Sequence, residues 1–131
     1  MALTERVNQD PAYLWDLTDI YPDDDALRQA LADAQRYPDE LTAYKGTISH
    51  DATKLLEFMH LDDEVSVTLG KLVNYTERKS DEDTRVSTYQ DLTAQVMNLY
   101  VAISAASAWA VPEILTLSEA DMDSFYTDEP E

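Results

Sequence analysis

The stretch of sequence that decides the fold is YQDLTAQVMNLYVAISAASAWA, residues 89–110. Apolar and aromatic side chains recur in it at alternating steps of three and four residues, the spacing of one face of a long helix that packs along a partner. Its C-terminal half is also apolar outside this stripe, so we expect the helix to be buried on several sides. The stripe consists of Tyr89, Leu92, Val96, Leu99, Ile103, Ala106 and Ala110.

A second long helix is predicted just before this one, starting at Ser49 or Asp51 and reaching about Lys79. A polar segment follows it and predicts a break, after which Asp81 or Asp83 caps the next helix. The two helices therefore form the spine of the predicted fold. The apolar stripe of the earlier helix consists of Leu55, Phe58, Val65, Leu69 and Leu72.

The chain divides into three predicted units. Residues 1–22 form an extended docking arm, because apolar and polar residues alternate in its second half and Trp15 and Tyr21 supply large side chains for docking. Residues 23–126 form a helical domain, and residues 127–131 form a frayed acidic tail. No strand-length alternation follows the arm, so the sequence predicts an all-α fold, an antiparallel helical bundle with two long central helices and a short C-terminal helix.

Helix signals set the other boundaries inside the helical domain. The acidic run Asp23-Asp24-Asp25 predicts the start of the first helix, which Pro38 ends or kinks. Pro112 is expected to end the second long helix. Ser118 begins the short final helix, which reaches about Tyr126.

Composition excludes several classes of function. The chain of 131 residues carries 27 acidic and only 9 basic side chains, a formal charge of −18, which repels phosphate and predicts no nucleic-acid partner. It has no cysteine, which excludes disulfides, thiol chemistry and cysteine-bound metals. Only two glycines are present, too few for phosphate-cradling loops. The acidic excess is expected to be a solvated surface, with adaptation to high salt as the alternative.

The uncharged residues 92–112 are numerous enough to cross a bilayer on paper. Polar side chains such as Gln95 and Asn98, and the acidic flanks Asp91 and Glu113, instead favour a core helix with no membrane partner. The first residues do not resemble a secretory signal. We therefore expect a cytoplasmic location.

Metal and catalytic motifs are scarce. The motif H-E-x-x-H does not occur, and the two histidines are His50 and His60. His60 and Glu64 lie four residues apart, but an exposed pair is expected there rather than a metal site; a metal-dependent enzyme using either histidine remains a minor alternative. Residues 81–85 resemble a calcium loop but lack its glycine and closing glutamate. No catalytic, cofactor-binding or metal-binding residue is assigned.

Four aromatic residues could line a groove, although their helical spacing favours packing between helices or domains. They are Tyr75, Tyr89, Tyr100 and Trp109.

Five short segments together carry a family resemblance. They are Trp15-Asp16-Leu17-Thr18 with Ile20-Tyr21-Pro22; Tyr44-Lys45-Gly46; Leu69-Gly70-Lys71-Leu72 with Tyr75; Asp81-Glu82-Asp83-Thr84 followed by Tyr89-Gln90; and Pro112-Glu113-Ile114-Leu115. In this order and spacing they resemble the N-terminal region of oligoendopeptidase F, within the thimet-oligopeptidase-like zinc metallopeptidases.

The resemblance implies a non-catalytic role for this chain. In the family, an all-helical peptidase encloses a deep cleft, and its zinc-binding H-E-x-x-H lies downstream of this region. Zinc is thus implied for the parent family, whereas no cofactor is expected in this chain. The implied role is a cleft wall that admits short, unfolded peptides, with the catalytic domain of the parent as partner and short peptides reached through that parent.

An alternative from a different class remains open. The chain could be a free-standing acidic helical module for protein interaction, or for homodimerisation through an exposed apolar helix face.

Overall fold

The computed structural model of the protein describes residues 4–130. These residues form six α-helices and four short 3-10 turns without any strand, which confirms the predicted all-α bundle with two long central helices. The α-helices are α1 (Asp24–Asp33), α2 (Tyr37–Ala43), α3 (Ala52–Glu82), α4 (Ser87–Ser107), α5 (Ala110–Ile114) and α6 (Glu119–Asp128).

Helices α3 and α4 form the spine, as predicted. They have 31 and 21 residues and are joined by a short connection, which makes them antiparallel neighbours. Both predicted stripes supply the core between the helices. The buried members are Leu55, Phe58, Val65, Leu69 and Leu72 of α3, and Leu92, Val96, Leu99 and Ile103 of α4.

Helices α1 and α2 form a kinked rod along the spine. Asp23 caps α1, since its carboxylate accepts the Ala26 N–H at 2.8 Å. The 3-10 turn Ala34–Arg36 links α1 to α2, and Pro38 occupies the first turn of α2, where its missing N–H would have no helical partner. The proline therefore marks a kink, and the rod packs on both spine helices.

The connection between α3 and α4 differs from the prediction. The expected break is present but lies at residues 83–86 rather than 80–84, because α3 continues to Glu82 and α4 begins at Ser87. The predicted aspartate cap of the second spine helix is wrong, since α4 has no side-chain cap. Asp83 instead accepts the Arg85 N–H at 3.0 Å and pairs with its guanidinium at 2.6 and 2.8 Å. These bonds to Arg85 lower the pKa of Asp83 to about 2. The carboxylate is used within the loop and is not free to cap α4.

The C-terminal boundaries also shift. Pro112 lies inside the short helix α5 rather than simply ending α4. A reciprocal capping box between Ser118 and Asp121 starts α6, as the sequence predicts. This helix continues two residues beyond the predicted end, so Thr127 belongs to it rather than to a tail. The Thr127 hydroxyl donates to the Asp123 carbonyl at 2.9 Å within this extension.

The described part of the arm crosses one end of the spine. It forms 3-10 turns at Arg6–Asn8, Pro11–Tyr13 and Leu17–Asp19, separated by residues with extended dihedral angles. Arg6 pairs with Glu82 at the end of α3 at 2.9 Å. The arm is thus tethered at the turn of the helical hairpin that α3 and α4 form.

Candidate functional site

Helix α4 exposes an apolar face to solvent. The expectation that this helix is buried on several sides is wrong for the described chain, because α3 and the α1–α2 rod cover one side only. Val101 is 63% exposed, Tyr100 47% and Met97 42%. We call the exposed stripe opposite the core the outer face; it consists of Ala94, Met97, Val101, Ser104 and Ala108.

The outer face consists of small and apolar side chains on one side of α4. Its members follow one another at steps of three, four, three and four residues, which places them along a single line on the helix surface. Val101 lies two residues from both Leu99 and Ile103, about 200° around the helix, and therefore points away from the core. No charged residue occurs between residues 92 and 112. The sequence signal for this second stripe was present in the same periodicity that predicted the core.

The same region has the composition of a membrane helix. Within residues 4–130, Ser87–Ile114 is long and apolar enough to cross a bilayer, with a mean hydropathy of 1.3. Only the length and the composition of this helix suggest a membrane span, and core helices of water-soluble proteins have the same length and composition. We assign no membrane span.

A groove lies beneath the arm, at the end of the spine where α3 connects to α4. Its volume is about 640 Å³, and the carboxylate of Asp24 lies in it. The Tyr75 hydroxyl donates to one oxygen of Asp24 at 2.8 Å, and the Tyr89 hydroxyl donates to the other at 2.9 Å. Burial, and then the bond to Asp24, raise the pKa of both tyrosines. One carboxylate thus ties α1 to both spine helices.

The four predicted aromatic residues do not form one groove. Tyr75 and Tyr89 lie at the arm end of the spine, and Tyr21 packs edge-on against Tyr75 with ring centroids 5.6 Å apart. Trp109 lies beyond the far end of α4, against Phe58 at 5.3 Å. Packing between elements accounts for these contacts, whereas the exposed Tyr100 makes no such stack.

A second carboxylate joins segments that are distant in sequence. Glu113 of α5 accepts the Gly46 N–H at 2.7 Å, and the Ser49 N–H and hydroxyl at 3.2 Å each. Burial alone would raise the pKa of Glu113, but these bonds lower it below its ordinary value. Gly46 has φ of +80°, a conformation that favours glycine, so the turn presents its N–H groups to Glu113 at little cost.

Replacing Glu113 by glutamine should lower the free energy of unfolding by about 1–2 kcal/mol near pH 7, because the amide offers one acceptor oxygen where the carboxylate offers two. The native contribution is present above the ordinary glutamate pKa and is lost as the pH falls through the lowered folded value. Urea unfolding between pH 3 and pH 7 measures both effects. Equal stability of the two proteins at pH 7 would contradict the expectation.

The metal-ligand candidates remain apart. His50 and His60 are exposed, and Glu64 binds Arg36 at 2.7 Å and the Tyr37 hydroxyl at 2.8 Å rather than facing His60. In residues 4–130, no group of three histidine or acidic side chains is arranged to hold a metal ion.

Three relatives match most of the chain. It is 35% identical over 117 residues to oligopeptidase PepF of Bacillus subtilis, covering 89% of this chain and 18% of that protein. It is 29% identical to the group B oligopeptidase PepB of Streptococcus agalactiae, covering 96% and 21%. It is 32% identical to the plasmid-encoded oligoendopeptidase F of Lactococcus lactis subsp. cremoris, covering 89% and 20%. The chain spans about a fifth of the length of these relatives.

Neither a protein-family model nor a solved structure matches the chain.

Proposed function

We propose, from the relationship to oligoendopeptidase F that the motifs predicted and the relatives confirm, that this chain is the non-catalytic helical part of a zinc oligopeptidase. The observation that carries the proposal is the match itself, which runs along nine tenths of this chain but only a fifth of each relative. The two exposed histidines do not fit a zinc centre with any neighbouring acid in the described region. The proposal therefore assigns zinc and the hydrolytic step to another part of the parent protein.

The contacts of the motif residues support an architectural role. Tyr75 and Tyr89, from two of the five segments, share Asp24 as acceptor. Gly46 and Glu113, from two others, bind each other. The residues that carry the family resemblance thus hold helices together.

The proposed role is to form part of a wall that limits entry to short, unfolded peptides. Helix α3 is 31 residues long, or about 46 Å at 1.5 Å per residue, and its buried stripe fixes it against α4. A wall needs a long element that its neighbours support. In this role the chain contacts peptides only as part of the parent oligopeptidase. We expect the parent oligopeptidase to act in the cytoplasm.

A chimera tests this function. The stretch of Bacillus subtilis PepF that matches residues of this chain is replaced by the chain, and peptides of increasing length are offered as substrates. We expect the chimera to cleave short peptides and to keep the length limit of the parental PepF. The isolated chain should give no cleavage with or without added zinc. A folded but inactive chimera, a lost length limit, or turnover by the isolated chain would contradict the proposal.

The exposure of the outer face is the observation behind a second candidate function, a free-standing acidic module that binds another protein or, against the repulsion of its net charge, a second copy of itself. The apolar residues of the outer face are exposed in the single chain, and such faces mark interaction sites. Sedimentation over a range of concentrations separates the two functions. A tight dimer would favour the module, whereas a monomer would favour the part of a larger enzyme.

A further inference from the structure

The outer face of α4 has the length and side-chain sizes of a surface on which one α-helix can pack. Its members form one continuous row of small and apolar side chains, the kind of surface on which a second helix can pack with its axis about 20° from that of α4. Ala94, Ser104 and Ala108 are small and allow close approach, while Met97 and Val101 are large enough to fill the grooves of a partner. The stripe is about 20 Å long, the length of four turns.

A second copy of this chain fits the outer face poorly. Stable dimers bury about 1,200–2,000 Å² with roughly 20–30 residues on each side, far more than a stripe of five residues provides. Each copy also carries a formal net charge of −18 over the whole chain, and the repulsion between two such chains opposes association. A segment of the same polypeptide avoids the entropy cost of association and can pack on a smaller surface.

We infer that the outer face of α4 is the docking surface for an amphipathic α-helix of the same polypeptide, supplied by a region that corresponds to the unmatched four fifths of the relatives. This inference rests on the proposed function for the existence of that region. The docking helix presents apolar residues at steps of three and four. Basic residues on its flanks complement the acidic chain.

Single cysteines test the inference directly, because the chain contains none. Val101→Cys reports on the outer face, and Val67→Cys on α3 is the matched control, since the two valines are 63% and 60% exposed. Each variant is prepared as the isolated chain and inside the PepF chimera. The rate of modification by a maleimide is read residue by residue by mass spectrometry.

In the isolated chain we expect both cysteines to react at similar rates. In the chimera, reaction at Val101→Cys should slow at least tenfold while Val67→Cys keeps its rate. Equal rates at both positions in the chimera would overturn the inference. Protection of Val101→Cys in the isolated chain that grows with its concentration would also overturn it, because a second copy would then be the occupant.

Peptide cleavage is measured on the same chimeras and separates the two proposals. A chimera that protects Val101→Cys but does not cleave peptides would defeat the proposed function and keep the docking surface. A chimera that cleaves peptides but leaves Val101→Cys as reactive as in the isolated chain would contradict the docking inference alone. The exchange is repeated in the Streptococcus agalactiae relative; failure of both chimeras to fold would count against the inference, since a matching helix should accept the outer face in at least one.

Discussion

Replacing Leu72 by alanine should lower the free energy of unfolding by about 2–5 kcal/mol, the largest loss we expect from a single truncation in this chain. Leu72 belongs to the buried stripe of α3 and is completely inaccessible to solvent. Removing its branched end leaves a cavity that neighbours in a packed helical core fill only in part. Urea unfolding followed by circular dichroism at 222 nm measures the change.

Leu115→Ala is the control for Leu72→Ala. Leu115 is 77% exposed, so the same truncation should change the free energy of unfolding by no more than about 0.5 kcal/mol. If the two substitutions cost the same, the core does not lie where α3 meets the rest of the bundle.

Replacing Asp24 by alanine should lower the free energy of unfolding by about 1–3 kcal/mol. The variant leaves the hydroxyls of Tyr75 and Tyr89 without their acceptor, and Tyr75 is only 2% exposed. An unpaired buried hydroxyl keeps its desolvation cost without the compensating bond. Thermal and urea unfolding of the isolated chain measure the loss.

Asp25→Ala is the matched control for Asp24→Ala. Both aspartates lie in the first turn of α1, so each substitution removes one favourable charge from the positive end of the helix. The side chain of Asp25 is 95% exposed and makes only a 3.4 Å contact with Arg28. A double-mutant cycle of Asp24→Ala with Tyr75→Phe should show coupling, and additive losses would indicate that the tyrosine bond contributes nothing.

The parts of the fold that local signals determine were predictable from the sequence. Alternating steps of three and four residues identified the buried stripes of α3 and α4. Side chains that bond to the next turn identified the starts of three helices, at Asp23, Asp51 and Ser118. These signals act within a few residues, and the chain supplies them without tertiary help.

Contacts between distant residues were not predictable. One local contact was also missed: Asp83 was expected to cap a helix, but Arg85, two residues further on, binds its carboxylate within the loop. The Asp24 carboxylate was expected only as part of a helix start, and nothing local indicates its two tyrosine partners. Periodicity likewise showed that α4 has apolar residues on several sides, yet it could not show how many neighbours the chain supplies to cover them.

The candidate site shows the same limit. The outer face was present in the sequence as a second series of three- and four-residue steps through Val101, but its exposure depends on where α3 and the α1–α2 rod lie. Likewise, the sequence could not show that Glu64, considered as a metal ligand beside His60, binds Arg36 and Tyr37 of the α1–α2 rod instead.

The bond between Gly46 and Glu113 closes a loop of 67 residues in a chain that has no covalent cross-link. This bond is lost when the chain unfolds, so it does not restrict the unfolded chain as a disulfide would; on folding it must offset the entropy of closing the loop, a cost that grows only slowly with loop length. The Gly46–Glu113 bond also differs from a disulfide in the conditions that break it. Acid weakens it by neutralising the carboxylate, whereas a reducing agent has no effect on it.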